Sequence, residues 1–396
     1  MEKELSIVTY IKAHGLQAAE KEFKLLVRDY GHKVLLKYSQ IDSDMSLPEV
    51  QDARGLILEK GTWKVMSLPF RKFFNAAEGH AAKIDWETAL ILEKLDGSLM
   101  QLYYDWVLDE WCVGTSGTAD ASGEVNNKMG TTFADLFWGT IAKLNGKFHM
   151  ITSTNAHNKF TPEERTARLN EFLNKDFCWI FELTTPYNVV VKPHTESSVT
   201  LLTARNVNTL EELSYENLCW MRVELDVPVV KAFDINASNV GHILATLEGM
   251  PWSEEGYVVV DEKFNRIKIK NPAYVAVHHL KSKTAEYNIL EIVKSNEIDE
   301  FGATFPERLE EITQLHKNYH DLRIKLNEVW VVLQNHKPKN ITKEETKKYA
   351  MKVFEITKEM GVPNHTGLYF GLKDGKVESV DKYLFEFDNK KLYEIL

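Results

Sequence analysis

The first two-thirds of the chain is patterned as short apolar or alternating runs divided by turns. Such runs occur at Val34 to Tyr38, Gly55 to Leu58, Trp63 to Ser67, Ala89 to Leu92, Leu99 to Tyr104 and Trp111 to Thr115. Others follow at Cys178 to Thr184, Val189 to Lys192, Thr200 to Arg205, Tyr257 to Val260 and Arg266 to Lys270. Short runs of this kind, bounded by turn residues, predict strands. Two helices are predicted among them from capping boxes, Thr161-Pro162-Glu163-Glu164, with proline at the first helical position, and Thr209-Leu210-Glu211-Glu212. After about Pro272 the period changes. Leu309, Ile312, Leu315, Tyr319, Leu322 and Leu326 fall at helical spacing within Glu307 to Gln334, and Thr342-Lys343-Glu344-Glu345 opens a second helix predicted to reach Lys358. The predicted fold class is α+β: a strand-rich domain over 1–279 and a mostly α-helical domain over 280–396.

Composition narrows the function classes. A chain of 396 residues exceeds one ordinary core and predicts two to three domains. Its 48 Lys and Arg against 58 Asp and Glu, a net charge of −10, exclude a uniformly basic nucleic-acid coat but allow a local basic cleft. With 44% hydrophobic and 27% charged residues the balance is that of a soluble globular enzyme. No apolar run approaches the roughly 18 residues needed to cross a bilayer, and Met1-Glu2-Lys3-Glu4 leads into no secretory h-region. No membrane partner is expected. Cys112, Cys178 and Cys219 are odd in number and far apart, as for buried thiols in a reducing cytoplasm, without a disulfide or zinc framework.

The sharpest local feature is Glu93-Lys94-Leu95-Asp96-Gly97-Ser98, a lysine at the end of an apolar strand followed by a turn-forming Asp-Gly. Alone, a K-x-D-G pattern is weak and the solvated hairpin turn is the better reading. Downstream, Glu255-Gly256-Tyr257-Val258 opens one strand and Arg266-Ile267-Lys268-Ile269-Lys270 forms what reads as its hairpin partner. Period-two geometry puts Lys268 and Lys270 on one face and the isoleucines on the other. Two like charges on one strand face are costly unless an anion lies between them. Glu182, inside the apolar run Phe177 to Leu183, needs a metal, a cation or a hydroxyl donor as partner. Arg71-Lys72-Phe73-Phe74-Asn75 mixes cations with aromatics, a composition suited to phosphate and base contacts and also common on ordinary surfaces.

In order along the chain, these pieces resemble the covalent nucleotidyltransferase superfamily of ATP-dependent polynucleotide ligases and capping enzymes. Lys94-Leu95-Asp96-Gly97 looks like its first motif, Phe181-Glu182-Leu183 the third, Glu255-Gly256-Tyr257-Val258 the fourth and Lys268-Ile269-Lys270 the fifth. Within it, the chain is most similar to the phage-type RNA ligase 1 family, the tRNA-repair ligases. The signs are Arg54-Gly55-Leu56-Ile57-Leu58 after Tyr38, Lys72-Phe73-Phe74-Asn75, Thr184-Thr185-Pro186-Tyr187-Asn188, and Tyr274 four residues beyond Lys270. The resemblance covers about residues 30–280.

The resemblance implies an antiparallel-sheet nucleotidyltransferase domain and a C-terminal domain that selects RNA. Lys94 would take AMP from ATP, pass it to an RNA 5′-phosphate, and a 3′-hydroxyl would displace it. Lys268 and Lys270 would contact the reacting phosphates, Arg54 and Lys72 the triphosphate or RNA phosphate, Glu182 the ribose. Glu255 would bind Mg²⁺ or Mn²⁺, and Gly97 and Gly256 would let backbone approach the nucleotide. Glu93, Asp96, Tyr38, Phe74 and Tyr274 complete the implied nucleotide-binding set. A lysine nucleophile acts as the neutral amine, and one cation ~4 Å away contributes on the order of 4 kcal/mol at an effective dielectric near 20. Lys268, Lys270 or the metal would suffice. The implied partners are RNA with 3′-hydroxyl and 5′-phosphate ends, nicked tRNA among them, and a separate polynucleotide kinase/phosphatase.

One departure stands out. Family members usually carry Lys or Arg before a glycine in the strand after the first motif, where this chain reads Gly114-Thr115-Ser116-Gly117-Thr118. Ser116 itself or Lys128 are candidates to replace that phosphate contact. Two other readings stay open: a DNA ligase or capping enzyme, against which the helical tail in place of a β-barrel argues, and an RNA-binding protein with a degenerate nucleotide site.

Overall fold

The computed structural model describes residues 4–125, 130–141, 161–188, 190–225, 227–275, 289–296, 298–299, 301, 308–337 and 342–396. The chain divides into two compact units, Met1–His278 and His279–Leu396.

The described residues of the first unit form three sheets. One runs β1 (Leu25–Asp29), β2 (Lys33–Tyr38), β3 (Arg54–Glu59), β4 (Val65–Ser67), all antiparallel. The second contains β7 (Ser98–Asp105), β8 (Glu110–Thr115), β9 (Phe177–Thr184) and β10 (Ser198–Asn206), antiparallel in the order β10-β9-β7-β8. The third has the order β11-β6-β12-β13-β5, built from β5 (Phe74–Asn75), β6 (Leu90–Glu93), β11 (Ala232–Phe233), β12 (Gly256–Val260) and β13 (Arg266–Lys270). In that sheet only β13 with β5 is parallel.

Alternation explains how the layers stack. On β2, Val34, Leu36 and Tyr38 face the helices Ser6–His14 and Leu16–Phe23, which bring in Ile7, Val8, Ile11 and Phe23. Leu35, on the opposite face, meets Tyr103 of β7 together with Ile57 and Met66. The first two sheets therefore pack face to face, with both faces of β2 buried. The far side of the second sheet packs on helices Phe133–Ile141, Pro162–Leu169 and Tyr215–Leu225 through Phe137, Leu169 and Leu218. The third sheet buries Ile91, Val259, Ile267 and Ile269 against Ile243 and Leu247 of helix Val240–Leu247.

In the second unit the helix Leu309–Gln334 buries Ile312, Tyr319, Leu322, Leu326, Val329 and Leu333. Helix Lys343–Glu359 begins where the Thr342 hydroxyl accepts from the Glu345 N–H at 3.2 Å. Shorter helices at Ile289–Ser295, Thr366–Lys373, Val380–Glu386 and Asn389–Tyr393 share the same apolar core. No helix of the described residues is long and apolar enough to cross a membrane.

Several expectations are corrected. The helix predicted at Thr209 is a turn: the Asn206 side chain accepts from the Asn208 and Thr209 N–H groups at 2.9 Å, and Leu210 is left-handed. Glu212 then pairs with Arg266 instead of capping anything. The run at Val189 to Lys192 is no strand over its described residues, because the Val191 and Lys192 amides donate to the Asp96 carboxylate; Val189 lies outside the described residues. Cys178 is buried, but Cys219 is exposed and Cys112 only partly covered. Leu309 is exposed at the start of its helix.

Candidate active site

The chain leaves the third sheet at Glu93, the partly exposed last residue of β6, and enters the second at Ser98, so Lys94 to Gly97 bridge the two sheets. Tyr257 pairs with Glu93 and Gly256 with Lys270, which sets the ends of β6, β12 and β13 side by side. The Lys94 N–H donates to the Gly256 carbonyl at 3.0 Å. The Lys94 Nζ lies 2.5 Å from Oε1 of buried Glu255, and the Lys270 Nζ stands 3.6 Å from the same oxygen. Two ammonium groups thus offset the desolvation of one buried carboxylate.

Asp96 holds this bridge in place. It is buried, with Oδ2 accepting from Val191 N at 2.9 Å and Lys192 N at 2.5 Å, and Oδ1 from the Tyr274 hydroxyl at 3.0 Å. His194 Nε2 lies 2.9 Å from the Asp96 carbonyl oxygen. The carboxylate is therefore engaged with the protein itself. The two glycines are also required by the protein. A β-carbon on Gly97 would stand 2.5 Å from the Leu183 carbonyl and 3.1 Å from Glu182 Cγ, and one on Gly256, at φ +126°, would collide with the Ile269 carbonyl across the hairpin.

Glu182 lies near the end of the inner strand β9, half-buried and ringed by charge. Burial pushes its carboxyl up from the usual 4.5 to about 8; the fields of Lys94 and Arg54 oppose this, and those of Glu255 and Asp96 add to it. Arg54 opens β3 with its guanidinium carbon 5.3 Å from the Phe73 ring centre, and its Nη1 is buried without an acceptor among the described residues. A buried donor left unpaired is costly, and a phosphate oxygen would satisfy it.

Lys268 sits on β13 opposite Val258 and beside Asn75, on the face it shares with Lys270. Lys72 forms a second centre, its Nζ 5.6 Å from the Tyr38 ring and 5.5 Å from the Phe74 ring, both rings buried. Lys72 and Phe74 line a cavity of about 980 Å³ with Arg71, His80, Arg205 and Arg266, but Lys94, Glu182 and Glu255 do not border it. Lys128 lies outside the described residues. Gln101 was not singled out in the sequence: buried in β7, its Nε2 donates to the Gly55 and Thr115 carbonyls at 2.9 Å each, tying β3 to the turn at Ser116. An amide in an otherwise apolar and aromatic strand was its one signal.

A family model described as RNA ligase matches residues 52–274. An RNA ligase of a Rhodothermus phage is 25% identical over 391 aligned residues, spanning 83% of this chain and 82% of that protein. A protein of Autographa californica nuclear polyhedrosis virus, described as a bifunctional polynucleotide kinase/RNA ligase, is 28% identical over 74% of this chain; the match spans 40% of that relative's length. Among solved structures, an archaeal ATP-dependent RNA ligase aligns over 89% of this chain and 79% of its own, at 14% identity and a TM-score of 0.40.

Proposed function

This chain belongs to the RNA ligase family, and from that premise we propose that it joins an RNA 3′-hydroxyl to a 5′-phosphate at the expense of ATP. The observation that carries the reading is the meeting of Lys94 and Lys270 on one oxygen of Glu255, where the chain bridges two sheets beside Glu182.

The Lys94 amine attacks the α-phosphorus of ATP, an N–P bond forms, and pyrophosphate leaves as the amine gives up its proton. An oxygen of the RNA 5′-phosphate then attacks the AMP phosphorus and releases the lysine. Finally the 3′-hydroxyl attacks the activated 5′-phosphate and AMP departs. In the ligand-free protein Glu255 holds the Lys94 ammonium, a contact that must be exchanged before attack. Lys268 and Lys270 are placed to meet phosphate oxygens as charge spreads over them, Arg54 and Lys72 to bind further phosphates, and Glu182 to bind the ribose. Tyr38, Phe74 and Tyr274 back the nucleotide pocket. Through Tyr274 and the 190–192 loop, Asp96 keeps Lys94 in position.

The donor set fits a divalent cation that arrives with the nucleotide. No cluster of three His, Cys, Asp or Glu ligands stands among the described residues, whereas Mg²⁺ or Mn²⁺ is satisfied by one or two carboxylates, phosphate oxygens and water. Glu255 would hold it, and it would supply charge neutralisation at the reacting phosphate. We assign the choice of RNA to the helical unit, with nicked tRNA as one candidate substrate. The required 5′-phosphate is the product of a polynucleotide kinase, the activity that also names one relative.

Incubation with labelled ATP, GTP or NAD, followed by a denaturing gel and peptide mass spectrometry, tests the reading. One AMP on Lys94, from ATP alone and absent in Lys94→Ala, is expected. No adduct, or one that survives Lys94→Ala, refutes it.

A further inference from the structure

The turn after β8 carries Ser116 where the resemblance leads one to look for a cation. The structure brings one there from a different strand. On β2, Lys37 pairs with Arg54 of β3, which puts two positive side chains directly opposite each other, an arrangement that destabilises a sheet unless an anion joins them. The register shifts at this point, with Leu36 opposite Leu56 and Lys37 opposite Arg54, so Gly55, at φ +88°, is the extra residue of a bulge. The bulge presses on the turn: a β-carbon on Gly55 would stand 2.7 Å from Ser116 Cα. A β-carbon on Gly117 would stand 3.9 Å from the Lys37 Nζ, so this ammonium lies beside the turn at the residue that follows Ser116.

Neither cation forms an ion pair with a carboxylate among the described residues. Lys37 is half-buried, and its ammonium makes no hydrogen bond or ion pair with a described residue. The Nη1 of Arg54 is buried without an acceptor among the described residues. The Thr115 hydroxyl is committed to the turn, accepting from the Gly117 and Thr118 N–H groups at 3.1 Å. Gln101 locks the two strands' ends together, so the pair of charges is held on a rigid frame. Arg54, the other member of the pair, lies near enough to Glu182 for its charge to act on that carboxyl, as does Lys94.

We propose that the Lys37 ammonium, beside Gly117 and across from Arg54, binds the triphosphate of ATP and supplies the contact for which Ser116 carries no charge. This deepens the ligase reading and rests on it. Phosphate oxygens between Lys37 and Arg54 would relieve the like-charge pair and fill the vacant donor in one step.

The test measures Lys94 adenylylation against ATP concentration, and separately the joining of pre-adenylylated RNA without ATP. It compares the unmodified protein with Lys37→Arg, Lys37→Met, which keeps the apolar stem, and Lys37→Met/Ser116→Lys. Lys37→Met should raise the KM for ATP about 10- to 100-fold, the loss of one charge-assisted hydrogen bond, with a smaller effect on kcat. Joining of pre-adenylylated RNA should stay near normal, Lys37→Arg should resemble the unmodified protein, and Ser116→Lys should restore most of the lost affinity. An unchanged KM for ATP in Lys37→Met, an equal loss in both reactions, or no rescue by Ser116→Lys overturns the assignment of Lys37 alone. An unmodified protein that takes no AMP on Lys94 overturns the ligase reading and this contact with it.

Discussion

Replacing Glu182 with Gln removes a titration without removing the side chain's shape. The carboxyl, pushed from 4.5 to about 8 in the folded protein, keeps a proton there that the unfolded chain has given up. Between those values the folded state binds more protons than the unfolded one, so stability is lost as pH rises through the window, and the full penalty is present above about 8. At about 1.36 kcal/mol per unit the upper bound is ~5 kcal/mol, which partial solvent access reduces to about 1–3 kcal/mol. Gln carries no such penalty. Melting the nucleotide-free protein in EDTA should therefore show Glu182→Gln gaining on the unmodified protein between about pH 5 and pH 8.5, by ~2–12 °C at roughly 2–4 °C per kcal/mol. If Glu182 holds the ribose as proposed, the same variant should also need more ATP for adenylylation. A difference in melting temperature that stays constant with pH, or one that shrinks as pH rises, would refute the burial argument.

Two further outcomes follow from the arrangement around Lys94. Asp96→Ala strips three hydrogen bonds from a buried carboxylate and should reduce adenylylation by at least ~100-fold, whereas Tyr274→Phe removes one and should cost about tenfold; equal effects in initial-rate assays would contradict the positioning role. A chain ending at residue 281, checked for folding by circular dichroism, should keep Lys94 adenylylation while losing the joining of structured RNA; loss of both in a folded protein would remove RNA choice from the helical unit.

What could be read from the sequence followed the strength of each local pattern. β2, β3, β7, β9, β10, β12 and β13 were legible because their alternating or apolar runs match their buried faces, and the helix Pro162–Leu169 because its capping box forms as predicted. β1 was not, since Leu25 is buried but Leu26 is exposed and the strand ends on charge, as befits an edge. The two-residue strands β5 and β11 carry no period to read. Of the site, Lys94 stood out locally, but its contact with Glu255 joins residues far apart in the chain and depends on register. Lys37 was invisible because only a bulge at Gly55 sets it against the turn at Ser116.

The pairing of β6 with β12 makes apolar residues guardians of the chemistry. Tyr257 opposite Glu93 and Val259 opposite Ile91 are what bring Glu255 to Lys94. Sliding one strand by a single residue would carry the carboxylate about 3.3 Å along the sheet and reverse its face. Ile91 and Val259 are both buried on the side that excludes such a slip. Selection for catalysis would thus act on positions outside the proposed nucleotide site, and a substitution there could leave a well-folded protein in which Lys94 has lost its contact with Glu255.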